Sequence, residues 1–290
     1  MFDRVLFPTD GSEVSTAVLP YAVEFAAVHD ATLHLLNVAD TTRTSTVSLQ
    51  GEVVDALEAE GERIVEAAAD RVREQNRPVV TAVRQGVPDR TILSYVADTD
   101  VDLVLMPTHR RSGLERALLG SVTERVVRRA PVPVLTVHPE GDSLPECPHR
   151  RVLVPTDGSD CATAALDVGV DVARAHGAAL DVLSVVDLTS LGLDVHSEVQ
   201  ADSLEASARD VVEAATERAT AAGIEDVSGA VERGTAVHDA VLSYVTDHDV
   251  DLVVLGTHGR TGLERYLLGS VAGRVVRQSP VPVMTVRDED

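Results

Sequence analysis

The chain contains a second copy of itself. VLFPTDGS (5–12) returns as VLVPTDGS (152–159), ILSYVADTDVDLVLM (92–106) as VLSYVTDHDVDLVVL (241–255), and PVPVLTV (131–137) as PVPVMTV (280–286). The landmarks keep their order through both halves, and their offset drifts only from 147 (5 to 152) to 149 (92 to 241). A tandem duplication in 290 residues predicts two similar domains, each long enough to bury a core. HPEGDSLPECPHR (138–150), rich in Pro, Gly and charge, reads as the connection. The expected domains are therefore 1–138 and 150–290, with a linker over 139–149.

Within each copy, short apolar runs alternate with longer helical patterns, as in a parallel sheet covered on both faces. In the second copy the expected strands are RVLVPT, AALDVLSVV, DVSGAVE, DLVVLG and PVPVMTV, with helices starting near Ser159, Ser197, Ala236 and Gly269. The helix from Ser197 carries Val199, Leu204, Ala208, Val211, Val212 and Ala215 at helical spacing, and Gly223 stops it. The fold class is α/β: two tandem five-stranded, Rossmann-like domains. Ligands in such sheets bind beyond the C-terminal strand ends, where the winding direction switches.

Composition narrows the function. Hydrophobic residues are 44% and aromatics 2%, so the core is built from Val, Leu, Ile and Ala. A net charge of -22 disfavours nucleic acid and acidic membranes, which are held by cationic side chains. All 25 basic residues are arginine, which suits either a halophilic cytosol that screens self-repulsion or a codon bias toward Arg. Cys147 and Cys161 have no metal or redox spacing, which points to a reducing compartment. No run approaches a membrane span and FDRVLFPTD follows the first residue without a leader, so the expected location is cytoplasmic.

The loop after the fourth strand carries the chemistry. GTHGRTGLERYLLGS (256–270) places Gly256, Gly259, Gly269 and Ser270 around a helix start, where small residues let main-chain amides approach an anion. With no lysine, a Walker A loop is excluded. The first copy reads PTHRRSGLERALLGS (107–121): Pro107 and Arg110 replace two glycines, while Gly120 and Ser121 persist. Proline has no N–H, and an arginine side chain fills ligand space.

The spacing G-x2-G-x9-G-[ST], the PTDGS turn and the final PVPV strand together resemble the universal stress protein family, over essentially the whole chain. The resemblance implies an adenine nucleotide alpha hydrolase-like fold and, in its ATP-binding branch, a glycine loop holding ribose and phosphates. It places Gly256, Thr257, His258, Gly259, Arg260, Gly269, Ser270 and Val271 around the phosphates. It sets Asp157 near the ribose, Pro155 and Thr156 beside the base, and Val185 against adenine. It thus implies a competent ATP site in the second half, with any Mg²⁺ arriving on the phosphates, and a degraded site in the first. Alternatively, Arg110 and Arg111 give the first half a different anion site.

Other residues have plainer readings beside the functional one. His109 and His258 occupy equivalent loop positions and pack beside a ligand more readily than they act as acid or base. Asp10 and Asp157 serve as turn caps or as ligand contacts. Arg260, Arg265 and Arg274 could neutralise phosphate, whereas Arg274 and Arg277 also suit the last helix. Ten histidines form no metal-ligand spacing. The final strands, VPVLTV and VPVMTV, are expected at sheet edges. In the resembled family this strand pairs subunits, so the two copies are expected to form an internal pseudo-dimer, and two chains could associate further as a homodimer. The leading function is a non-catalytic, ATP-binding stress or regulatory protein. The alternatives are a slow ATPase or nucleotide-dependent enzyme, and a ligand-free module serving a transporter or other partner.

Overall fold

The structure is a computed structural model that describes residues 2–40, 50–108, 119–139, 143–187, 197–259 and 268–288. The chain divides into two compact units at Cys147 and Pro148. Unit 1 runs β1 (Arg4–Pro8), α1 (Glu13–His29), β2 (Thr32–Ala39), α2 (Gln50–Glu74), β3 (Val79–Gln85), α3 (Pro88–Asp98), β4 (Leu103–Pro107), α4 (Ser121–Arg129) and β5 (Val134–Val137). Unit 2 repeats the series as β6 (Arg151–Pro155), α5 (Asp160–His176), β7 (Ala179–Asp187), α6 (Ser197–Ala221), β8 (Val227–Gly234), α7 (Val237–Asp247), β9 (Leu252–Gly256), α8 (Ser270–Gln278) and β10 (Val283–Val286).

Within unit 1 the strand order is β3-β2-β1-β4-β5, and every pairing is parallel. Within unit 2 the corresponding order is β8-β7-β6-β9-β10, again parallel throughout. The winding reverses between β1 and β4 and between β6 and β9, which opens a crevice at those strand ends. The five strands expected in the second copy all form, within three residues of the expected bounds.

Aliphatic residues make the core: Leu33, Leu35, Leu103, Leu105 and Leu135 in unit 1, and Leu153, Leu180, Val182, Leu252 and Val253 in unit 2, are all at most 1% exposed. Unit 1 adds an aromatic corner in which Phe25 lies 6.1 Å from Phe2 and 4.6 Å from His29. The α6 face departs from the sequence reading at Leu204, which is exposed, whereas the expected Val212 and Ala215 are buried together with Ala201 and Ala219. Small residues let the helix lie close to the sheet: a Cβ built on Gly229 of β8 would stand 2.6 Å from Val212 Cγ1. Gly223, at φ +94, ends the helix as expected.

Matching core positions hold different polar pairs. In unit 1, His34 Nδ1 meets the Tyr95 hydroxyl at 3.0 Å. In unit 2 the equivalent of His34 is Asp181, which accepts from Arg151 at 2.9 Å and from the Tyr244 hydroxyl at 3.4 Å. Burial, followed by the Asp181 charge, pushes the Tyr244 hydroxyl up to about 12.

Candidate functional site

In unit 2 the turn after β6 is built by its own side chains. Gly158 takes φ +75, its amide donates to Thr156 Oγ1 at 3.2 Å, and the Ser159 amide donates to Asp157 Oδ1 at 3.0 Å. Ser159 then caps α5 by accepting from the Ala162 amide at 3.3 Å. Asp157 is thus both a turn former and a carboxylate with its second oxygen turned toward the glycine loop. A Cβ built on Gly259 would stand 2.6 Å from Asp157 Oδ2. Two residues more than a hundred positions apart in sequence are in direct contact.

Gly256 and Gly269 are explained by packing. A Cβ on Gly256 would lie 3.0 Å from the carbonyl carbon, carbonyl oxygen and Sγ of Cys161, so the first turn of α5 sits directly on that strand end. Cys161 was not among the expected site residues. Its signal in the sequence was its place in the first turn of the helix that follows PTDGS. A Cβ on Gly269 would lie 3.0 Å from the Thr257 carbonyl oxygen, and the Gly269 amide donates to that same oxygen at 2.8 Å. This corrects the reading of Gly269 as a source of a free amide. The donors left at the α8 start are the main-chain groups of Ser270, Val271 and Ala272, which have no acceptor within their own helix. Gly269 is the N-cap and gives them no side-chain cap.

Thr257 is buried and extends the ladder through its amide to Val286 O at 2.8 Å. Its hydroxyl meets His258 Nδ1 at 2.9 Å and lies 3.8 Å from Cys161 Sγ. That contact orients the imidazole, whose buried Nε2 has no hydrogen-bond partner among the described residues. An unpartnered buried nitrogen is costly unless something completes it. Pro155 closes β6 opposite Leu183, and Val185 stands half-buried in β7 opposite Glu232. Arg274 turns away to α7, where Nη1 meets His238 Nε2 at 3.1 Å. Arg277 lies in the last turn of α8. His109, Arg110, Arg111, Arg260 and Arg265 lie outside the described residues.

Unit 1 repeats the turn. The Ser12 amide donates to Asp10 Oδ1 at 3.0 Å, and Ser12 caps α1 through the Ser15 amide at 3.3 Å. Burial pulls the Asp10 carboxyl upward, but hydrogen bonds from Ser12 and Ser15 outweigh it and hold the group below its usual range. The α4 start, like that of α8, has a glycine N-cap, Gly120, and no side-chain cap. Among the described residues no group of three His, Cys, Asp or Glu side chains is placed to hold a metal ion. None of the described helices is long and apolar enough to cross a membrane.

A family model described as "Universal stress protein family" matches residues 1–138 and 148–287. Over 140 residues the chain is 31% identical to a universal stress protein of Methanocaldococcus jannaschii, a match covering 47% of this chain and 82% of that protein. Over 198 residues it is 32% identical to a universal stress protein of Mycobacterium tuberculosis, covering 65% of this chain and 62% of that one. The crystal structure of a universal stress protein from Archaeoglobus fulgidus covers 98% of both chains with a TM-score of 0.79 and 25% identity. A universal stress protein solved in complex with cAMP aligns with 49% of this chain at 28% identity and a TM-score of 0.39.

Proposed function

The chain belongs to the universal stress protein family, and from that premise we propose that it is a regulatory nucleotide-binding protein that holds ATP in unit 2. The observation that carries the proposal is the α8 start: a helix N-terminus without a side-chain cap, beside a glycine loop in contact with Asp157. Amide donors and helix dipole there favour an anion. In this reading the amides of Ser270 and Val271 and the Ser270 hydroxyl receive phosphate oxygens, with Gly269 as the hinge into the helix. Asp157 Oδ2 accepts from ribose hydroxyls, and Gly259 is small because that carboxylate lies against it. Pro155, Thr156 and Val185 form the wall for adenine. Gly256, Thr257, His258 and Arg260 complete the loop, and His258 Nε2 gains a ligand oxygen as its partner. Bound Mg²⁺ would come with the phosphates. The acidic, lysine-free surface fits work in a salt-rich cytoplasm.

A slow ATPase is the second reading, favoured by the unpartnered His258 Nε2 beside the loop, which could orient a water. The test is to denature the purified protein, identify any released nucleotide by mass spectrometry, and titrate the emptied protein with ATP. Released or titrating adenine nucleotide is expected, with turnover no higher than in a Gly259→Arg chain. An empty protein that does not bind ATP would leave the reading without support.

A further inference from the structure

His149 is a single buried residue between the exposed Pro148 and Arg150, where unit 2 begins. Three contacts within unit 2 hold it there. Its amide donates to Nδ1 of His176, in the last turn of α5, at 2.9 Å. Its ring stacks on that of His176 with centroids 5.0 Å apart and planes at 19°. Its own Nδ1 lies 3.6 Å from Oδ1 of Asp251, the residue before β9. Asp251 also accepts from the Arg150 amide at 2.8 Å and the Arg151 amide at 3.2 Å, so one carboxylate and one imidazole fasten the main chain as it enters β6. Burial pulls the Asp251 carboxyl upward, but the His149 side chain and those amides outweigh it and hold the group below its usual range. It is therefore a fixed negative charge wherever a histidine titrates.

A main-chain N–H only donates, so His176 Nδ1 is the acceptor and carries no proton while this bond exists. Protonation sets N–H against N–H and leaves the buried His149 amide without its acceptor. The carbonyl end of α5 meanwhile favours an imidazolium, so acid finds a receptive site. The charges around the pair, among the described residues, are those of Asp251 and of Arg150, whose Nε lies 3.9 Å from Asp251 Oδ2; Arg174, in the same turn of α5, is engaged with Asp171. Unit 1 carries the same fastening with one exchange. Asp102 accepts from the Asp3 and Arg4 amides at 2.7 and 3.1 Å, and His29 stands where unit 2 has His176, but the residue matching His149 is Phe2, 5.1 Å from the His29 ring.

We propose that His176 is an acid-sensitive latch: unprotonated at Nδ1 it binds the His149 amide and pins the start of unit 2, and once protonated it releases that segment. Because the latched form excludes the proton, the latch is complete above the ordinary histidine value of about 6.5 and is lost as pH falls below it. No ligand is involved, so the device is independent of the nucleotide reading.

The test measures hydrogen exchange at the His149 amide in the full chain, corrected for the intrinsic rate, together with the nitrogen NMR shifts of the His176 ring. Protection is expected to fall about fivefold from pH 7.5 to 5.5, within the roughly tenfold per pH unit that a single proton allows, and Nδ1 should become protonated over the same range. His176→Gln offers a carbonyl acceptor that does not titrate, so its protection should stay level. His149→Phe copies unit 1 and removes the neighbouring imidazole, so the fall should persist. Protection that is constant or rises in acid, an equal fall in His176→Gln, loss of the fall in His149→Phe, or an Nδ1 already protonated at pH 7.5 would each overturn the proposal. If His176→Gln does not fold, the native chain decides: ring titration that coincides with the loss of protection supports the latch, and titration that does not overturns it.

Discussion

Gly259 and Asp157 touch across the crevice of unit 2, with the glycine α-carbon facing Oδ2 so closely that a methyl group there would stand 2.6 Å from the oxygen. Gly259→Ala therefore displaces the carboxylate, and Gly259→Arg adds a bulky charge as well. Calorimetric titration should show ATP affinity reduced about ten- to hundredfold by the alanine, since a hydrogen bond to a charged group contributes roughly 1.5–3 kcal/mol. The arginine should abolish binding. Unchanged affinity in both would dissociate this contact from the ligand.

Gly256 has a packing role, because Cys161 leaves no room for a Cβ. Gly256→Ala is expected to lower the unfolding free energy by about 1–3 kcal/mol, as overpacking of a filled site does. Urea denaturation without nucleotide reads this directly. A wild-type midpoint would mean that α5 yields freely.

The buried Tyr244 hydroxyl makes stability fall in alkali. Its proton is held more tightly in the folded chain, up to about 12 against an ordinary value of 10.0, so its contribution is complete below pH 10 and is lost as pH rises toward 12. Burial raises Tyr95 as well, so each unit contributes. Tyr244→Phe should reduce the slope of stability against pH in this window, leaving the Tyr95 part. An unchanged slope would place the loss elsewhere.

A chain with a net charge of -22 repels itself, and the screening length shortens from about 10 Å at 0.1 M salt to about 3 Å at 1 M. The melting temperature is expected to climb with potassium chloride across that range. A flat or falling curve would favour codon bias as the source of the lysine-free composition.

The architecture was legible because it depends on repetition and on patterns of two and 3.6 residues, which the halves display twice. Strand ends, the Ser159 cap and the Gly223 stop all follow from such local rules. On α6 the expected Val212 and Ala215 are buried, whereas Leu204 is exposed, because apolar character alone does not say which residues at the border of a stripe reach the sheet. Within the site, the glycine positions were visible but two of their reasons were not. The contacts of Gly256 with Cys161 and of Gly269 with Thr257 are tertiary, and no spacing encodes them.

α1 and α5 finish their first turns with the side chains of Ser12 and Ser159, whereas the N-caps of α4 and α8 are glycines that offer no such side chain. A molecule that docks at such a beginning supplies the missing piece of the fold, and its concentration is then written into how firmly the polypeptide resists melting, by RT ln(1 + [L]/Kd). Such a protein can act as a gauge of a metabolite without a hinge or a moving lid, and whatever senses its rigidity reads the supply.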